Sequence, residues 1–426
     1  MFEARSRHML EPWRLTYGRL IDARTGEPFD DAMAVYCPSP RTYTGEDVLE
    51  LHCHGAPIVV EQVVAGAVAC GARTAEPGEF SRRAVLNGKM DLLQAEAVAD
   101  LIDARVTAGA RTAWEQLQGA LSLRLAGLRG SLLGVLADIE ANVDFSDDEL
   151  PTEDFGRRVD AIAAAQVEIG GLLGGFVAAR RVRMGVRVVF TGLPNAGKSS
   201  LINRLLGFGR MIVSEEPGTT RDVVEECIDL GGMAFIVADT AGLRESGSST
   251  ETEAVARACA TLKEADVVVM VADSSVPNES ASLVDLGLVP GPERVPLVVV
   301  FNKSDLPCSL TKADSEKLAG RARRHLWASA ATGDGCEALA TVLREIGAEI
   351  TADTEPVGIS RVRHQEALRR ALESLLAAST LAADATAPEL VAMELRQALR
   401  EIESLTEPLD NEEVLDRIFR EFCIGK

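Results

Sequence analysis

Val186-Arg-Val-Val-Phe-Thr191, followed at once by Gly192-Leu-Pro-Asn195-Ala196-Gly197-Lys198-Ser199-Ser200, decides how this chain folds. The first six residues form a short apolar run rich in β-branched side chains and closed by glycine, which reads as a buried strand. The next eight fit G-x-x-x-x-G-K-[S/T] and open a helix. Glycines in such a loop let backbone N–H groups wrap phosphate oxygens. Lys198 brings a point charge to the terminal phosphates, and the Ser199 hydroxyl can ligate Mg²⁺. Strand, loop and helix in this order predict an α/β sheet with phosphate bound at its strand ends.

Three further apolar runs, Ala234–Ala238, Asp266–Ala272 and Pro296–Phe301, alternate with helical stretches, the pattern of a parallel sheet with helices on both faces. Asp239-Thr240-Ala241-Gly242 closes the first run. An Asp there holds Mg²⁺ through water, and the Gly242 N–H can sense a γ-phosphate. Asn302-Lys303-Ser304-Asp305 closes the third. An Asp at that point accepts from both N1–H and the N2 amine of guanine, a donor pair that adenine lacks. Ser329-Ala330-Ala331, closing a fourth strand, offers backbone contacts to the base. These motifs in this order, each at a strand end, specify a Ras-like GTPase domain. Two features set it apart. Leu243 stands where Ras-like proteins often carry a water-orienting Gln, and the Asn195 side-chain oxygen could coordinate a monovalent cation beside the phosphates. Arg221 and Arg244 are open to two readings, arginine fingers in cis or surface salt-bridge residues.

On either side of this domain the texture differs. Residues 1–90 are mixed α/β, with turns at Cys37-Pro-Ser-Pro40 and Glu76-Pro-Gly78. Helical periodicity starts near Met90, continues through Leu117–Ile139 and Val159–Val177, and resumes after Thr354 in Gln365–Leu381, Ala387–Leu405 and Asn411–Phe422. The economical arrangement has four parts: an N-terminal α/β domain (1–90), a helical domain in two pieces (91–185 and 353–426), and a GTPase domain inserted between them (186–352).

The 44 Lys and Arg against 65 Asp and Glu leave a formal charge of −21, so nucleic acid is repelled by the molecule as a whole. Arg180-Arg-Val-Arg183 is only a small basic patch. With 12 Phe, 3 Trp and 3 Tyr, an aromatic base-stacking platform is not expected. No apolar run is expected to reach the roughly 18 residues that span a bilayer. The eight cysteines are scattered without C-x-x-C spacing, which reads as a reduced, cytoplasmic protein.

The whole set resembles one family, MnmE (TrmE), the tRNA-modification GTPases. The residues that carry the resemblance are Tyr43-Thr-Gly-Glu-Asp-Val-Leu-Glu50-Leu-His-Cys-His-Gly55, Glu76-Pro-Gly-Glu-Phe-Ser-Arg-Arg-Ala-Val-Leu-Asn-Gly-Lys89-Met-Asp-Leu92, Gly218-Thr-Thr-Arg-Asp222, Asp239-Thr-Ala-Gly-Leu-Arg-Glu245 and the terminal Cys423-Ile-Gly-Lys426. Ribosome-assembly GTPases, the other class considered, share the central motifs but carry an RNA-binding domain after them instead of these flanks. The resemblance implies a homodimer whose N-terminal domain binds 5,10-methylene- or 5-formyl-tetrahydrofolate. It also implies a heterotetramer with the flavoprotein MnmG (GidA), and formation of a 5-carboxymethylaminomethyl or aminomethyl group on the wobble uridine of certain tRNAs.

Carried over by position, Mg²⁺ falls on Ser199 and Thr220. An activating K⁺ falls on Asn195, Ser214, Glu216 and Thr219, and GTP contacts include the loop Ser214-Glu215-Glu216-Pro217-Gly218-Thr219-Thr220. The water-orienting acid falls on Glu251, which answers Leu243. Folate contacts fall on Glu50, Lys89 and Lys426, and the proposed catalytic thiol is Cys423. His52-Cys-His54 lacks a second ligand pair at metal spacing and reads as strand. The resemblance starts inside the family's N-terminal domain, so an extreme N-terminal strand–helix segment is expected to be missing.

Overall fold

The computed structural model describes residues 1–5, 10–144, 153–208, 210–212, 225–239, 261–262, 264–277, 295–352, 358–383, 388–407, 412–420 and 422. These form two compact units. One comprises Met1–Ala99, Gln116–Gln166 and Arg370–Lys426, and the other Asp100–Glu115 and Val167–Arg369.

The first unit begins with an antiparallel sheet in the order β1 (Phe2–Ala4), β2 (Thr16–Ile21), β3 (Pro28–Cys37), β4 (Val48–His52). Alternation places Leu20, Ala32 and Ala34 on its buried face, while Tyr17, Arg19 and Met33 point outward. In chain order the helices α1 (Pro57–Ala69), α2 (Glu79–Leu86), α3 (Leu92–Asp103), α4 (Thr107–Leu117), α5 (Ala120–Asp144) and α6 (Glu153–Met184) follow, with Asp100–Glu115 and the part of α6 from Val167 onward belonging to the second unit. Along α5, Leu121, Leu125, Leu128, Leu132, Leu136 and Ile139 are buried at helical spacing.

Helices α5 and α6 correct one expectation. Ala120–Ala141 and Val159–Met184 are each long and apolar enough to cross a bilayer by composition, with mean hydropathy 1.4 and 1.6. Their many Ala and Gly residues keep the mean high around isolated charges, so no unbroken apolar run signals them. The α5 stripe is nevertheless covered, by a helix from the far end of the chain.

The second unit is built on β5 (Val186–Thr191), α7 (Lys198–Phe208), β6 (Arg210–Ile212), β7 (Glu225–Asp229), β8 (Ala234–Asp239), β9 (Val267–Asp273), β10 (Leu297–Asn302), α8 (Lys312–Ala319), β11 (Arg324–Trp327) and α9 (Cys336–Ile350). Its sheet runs β11-β10-β9-β5-β8-β7-β6. The five strands from β11 to β8 are parallel, as the alternating pattern predicts, and each read strand is found within a residue or two of its expected ends. The two last strands are antiparallel, so the sheet is mixed. The reason is local: β7 and β8 are joined by a hairpin through Gly231 and Gly232, both at positive φ, and such a turn needs no crossover helix.

Both faces of the sheet are covered. Val188, Val269, Val271, Val298 and Val300 pack with Leu201 and Leu205 of α7 and Leu339 and Leu343 of α9. The alternate residues Val189, Val268, Met270, Val299 and Phe301 pack with Leu318 of α8. Strands buried on both sides must be continuously apolar, which is why they were legible as runs.

The chain closes with α10 (Val362–Ala383), α11 (Pro388–Thr406) and α12 (Glu412–Phe419). In the first unit α11 lies against α5, with Arg129 Nε on Glu403 Oε1 at 2.6 Å and Arg396 Nη2 on Glu140 Oε1 at 2.5 Å. Leu415, Ile418, Phe419 and Phe422 join Val85 of α2 and Leu92, Ala95 and Ala99 of α3 in one core.

Candidate nucleotide-binding site

Parallel strands all present their carboxyl ends at one edge, and β5 sits between β8 and β9, where the connections diverge to either side. Ligands of open α/β sheets bind at such a switch point. The phosphate loop leaves β5 there, Asp239 ends β8, Asn302 ends β10, and Ser329 follows β11. Topology thus gathers motifs that are more than a hundred residues apart in sequence.

Gly192 and Gly197 adopt φ of 144° and 94°. A Cβ at Gly192 would strike the Val271 carbonyl, and one at Gly197 would strike Asn302 Nδ2. Both glycines are therefore required by backbone sign and by space. Asn195 also has positive φ, 64°, and is exposed. Lys198 is buried at 4% exposure, and its Nζ donates to the loop's own carbonyls, Gly192 O and Leu193 O, both at 2.9 Å. The loop is a cradle closed around an ammonium. It fits a phosphate, whose oxygens meet the same ammonium and the N-terminus of α7. Ser199 stands exposed in the first turn of α7.

The Asn302–Asp305 and Ser329–Ala331 stretches form a second connected set. Asn302, 1% exposed, donates Nδ2 to Ala196 O at 2.7 Å and accepts at Oδ1 from Ala330 N at 3.1 Å. One side chain thereby ties the phosphate loop to the Ser329-Ala330-Ala331 loop. Ser329 Oγ donates to Asp305 Oδ1 at 2.5 Å, which fixes that exposed carboxylate against the second loop. Lys303, at φ 62°, places Nζ 2.5 Å from Asp273 Oδ2. Burial pushes the Asp273 carboxyl up. The Lys303 ammonium and the Ser275 hydroxyl and N–H more than offset this, leaving it below the ordinary carboxylate range.

Asp273 went unread in the sequence, although it ends β9 just as Asp239 ends β8. A carboxylate closing an apolar strand at the same edge was the available signal. Arg204 was also unread: its Nε and Nη2 donate to Ala330 O and Ala331 O at 2.9 and 2.7 Å. Thr240, Ala241, Gly242, Ser214 to Thr220, Glu251, Cys423 and Lys426 lie outside the described residues, as do Arg221, Leu243 and Arg244.

Two family profiles match the chain: "GTP-binding protein TrmE N-terminus" over residues 1–89, and "MnmE helical domain" over residues 92–423. The chain belongs to the MnmE family.

Similar relatives include the tRNA modification GTPases MnmE of Geobacter sulfurreducens (41% identity; 100% of this chain and 92% of the relative), Chlorobium chlorochromatii (41%; 96% and 87%) and Azoarcus sp. (42%; 98% and 90%). A solved G domain, that of the T. maritima FeoB iron transporter, aligns with 39% of this chain and 98% of its own at 28% identity. Its TM-score of 0.28 is too low to carry a fold argument. The family match accounts for both flanks as well as the GTPase motifs, and it makes the protein a GTP-hydrolysing enzyme.

In this MnmE-family chain the N-terminal residues read as folate contacts are both exposed. Lys89 Nζ donates to Pro40 O at 3.0 Å, crossing the loop before β4. Glu50 lies on β4 opposite Val35, with His52 Nε2 at 3.4 Å. No ion pair joins Glu50 to Lys89 among the described residues. Beside them a denser network surrounds Glu79, whose carboxylate takes Arg73 at 2.6 Å and Arg83 at 2.7 Å. These bonds, with the Glu76 N–H, lower its pKa to about 2. His54 Nδ1 pairs with Asp30 at 2.7 Å, so the two histidines of the His-Cys-His stretch have separate carboxylate neighbours. In the second unit, two of the three arginines of the basic patch are paired internally: Arg181 bonds Asp266 at 2.7 Å, and Arg183 converges with Arg361 on Asp100 at 2.8 and 2.6 Å.

Proposed function

We propose that this MnmE-family GTPase acts with MnmG to modify C5 of the wobble uridine in certain tRNAs, in the cytoplasm, and that potassium activates its GTP hydrolysis. The observation that carries the reading is the linked pair of loops at the sheet's carboxyl edge, in a chain whose flanks match both MnmE profiles. The helical-domain profile extends to both sides of the phosphate loop, which supports a GTPase domain inserted into a helical one.

The assigned roles follow the chemistry of each position. Asn195 to Ser200 cradle the β- and γ-phosphates, with Lys198 changing its loop carbonyls for phosphate oxygens. Asp305 accepts from the guanine N1–H and N2 amine, and Asn302, Lys303, Ser329, Ala330 and Ala331 shape the base pocket. Ser199 and Thr220 would hold Mg²⁺, with Asp239 behind it, and that ion would neutralise phosphate charge. Asn195, Ser214, Glu216 and Thr219 would hold K⁺ where other GTPases place an arginine finger. Glu251 orients the attacking water, a task Leu243 cannot perform. Glu50, Lys89 and Lys426 would receive a tetrahydrofolate one-carbon donor in a homodimer formed through the N-terminal domain, with Cys423 as the thiol. The core that seats Phe422 among α2 and α3 supports bringing the C-terminal residues to that domain.

Because Arg181 and Arg183 are already paired, tRNA is held mainly by the complex with MnmG. The test is GTP turnover in KCl and NaCl at equal ionic strength, followed by reconstitution of tRNA modification with MnmG. Strong potassium stimulation and product formation are expected. Equal slow rates in both salts would remove the cation role, and absence of product with active MnmG would remove the modification role.

A further inference from the structure

The base-reading loop is held from three directions. Asp305 takes the Ser329 hydroxyl, Asn302 takes the Ala330 N–H, and Arg204 takes the two carbonyls, Ala330 O and Ala331 O. The first two residues belong to the nucleotide motif itself. Arg204 belongs to α7, the helix whose first turn carries Lys198 and Ser199. It is exposed, and among the described residues it makes no ion pair with a carboxylate. Its charge-assisted donors are committed to the loop backbone instead. A guanidinium presents Nε–H and Nη–H as a fixed planar fork, suited to two acceptors at once, whereas a lysine ammonium has no such fork. The peptide unit is planar, so fixing the Ala330 and Ala331 carbonyls also fixes the N–H groups of Ala331 and Thr332 on the opposite side. Thr332 N–H is taken by Ser329 Oγ at 3.1 Å, which locks the far end of the turn.

We propose that Arg204 is a positioning residue for nucleotide selectivity. It holds the Ala331 N–H toward the base, the Ser329 and Ala330 N–H groups being taken by Asp334 O and Asn302 Oδ1, so that the loop accepts a purine with an oxygen at C6 and refuses one with an amine. This rests on the reading of Asp305 and that loop as the guanine site. The two contributions are chemically separable. Asp305 reads the N2 amine that GTP has and ITP lacks. The Ala331 N–H reads the C6 oxygen that both share.

Equilibrium binding of GTP, ITP and ATP to the full-length protein, with steady-state hydrolysis, tests this. Arg204→Ala should weaken GTP and ITP by the same factor, roughly three- to tenfold for two backbone hydrogen bonds, and leave ATP binding unchanged. The loss should appear in KM and not in kcat. Arg204→Lys should recover only part of it. Asp305→Asn should weaken GTP more than ITP and so lower their ratio. If Asp305→Asn leaves the GTP:ITP ratio unchanged, the guanine reading fails and the Arg204 role falls with it. If that ratio drops but Arg204→Ala binds GTP and ITP like the parent, the Arg204 role alone is overturned. A lowered unfolding temperature of the nucleotide-free variant with unaltered binding would make Arg204 structural only, which also overturns it.

Discussion

Asn302→Ala removes a buried side chain that joins the two halves of the nucleotide site. Asn302 is 1% exposed and Ala196 fully buried, so the substitution leaves the Ala196 carbonyl without its Nδ2 donor where water cannot replace it. An abandoned buried acceptor costs about 1–3 kcal/mol, and the half-buried Ala330 N–H loses a bond worth about 0.5–1.5 kcal/mol. The second unit should therefore lose about 2–4 kcal/mol, before any cavity term is added. Trp327 is the natural reporter: it stacks on Phe301, the neighbour of Asn302, with ring centroids 4.7 Å apart. Urea unfolding followed by its fluorescence, in a background with Trp13→Phe and Trp114→Phe, reads this unit without mixing transitions of the other. Asn302→Asp keeps an acceptor for Ala330 N–H but sets a carboxylate against the Ala196 carbonyl, so it should be no more stable than Asn302→Ala. A loss under about 0.5 kcal/mol for Asn302→Ala, or parental stability in Asn302→Asp, would refute the claim that this residue carries the link.

Two further outcomes follow from geometry already given. Gly197→Ala must place a Cβ against Asn302 Nδ2 at a φ of 94°. Titration with a fluorescent GTP analogue should show affinity lost by about a hundredfold or more, since strain of roughly 1–3 kcal/mol adds to the collision. Binding within a factor of two of the parent would contradict the cradle geometry. Glu79 has a folded pKa lowered to about 2 from an ordinary 4.5, first by Arg73 and then by the Glu76 N–H and Arg83. Its contribution to stability is complete above about pH 4.5 and is lost as pH falls toward 2. Carbon-13 NMR of the Glu79 carboxyl should titrate near 2 and move upward in Arg73→Ala; a midpoint above 4 in the parent would dispose of the ion-pair network.

The legible parts of this protein are those in which local sequence is enough to state a physical requirement. The phosphate loop announces itself because Gly192, Gly197, Lys198 and Ser199 stand at the fixed G-x-x-x-x-G-K-S spacing directly after an apolar strand, and the two glycines must take backbone conformations other residues avoid. The central strands announce themselves because burial on both faces leaves no polar positions. The antiparallel strands β6 and β7 did not: Glu225-Glu-Cys-Ile-Asp229 lacks that continuous apolarity, and only pairing with β8 defines it as a strand. The membrane-length windows in α5 and α6 were missed for the opposite reason, since Ala and Gly raise mean hydropathy without forming an unbroken run.

Composition, motif order and the flanking signatures were sufficient to determine a GTPase of the MnmE family, because those signals depend on residue type at fixed spacing along the chain. What joins the motifs depends on distance in space. That Asn302 bridges Ala196 and Ala330, that Lys303 pairs with Asp273, and that Arg204 grips two carbonyls some 126 residues away along the chain could be decided only by the tertiary structure. A hydrogen bond is made by atoms within about 3 Å, and nothing in the linear order of side chains records which distant backbone groups a parallel sheet will bring to its edge.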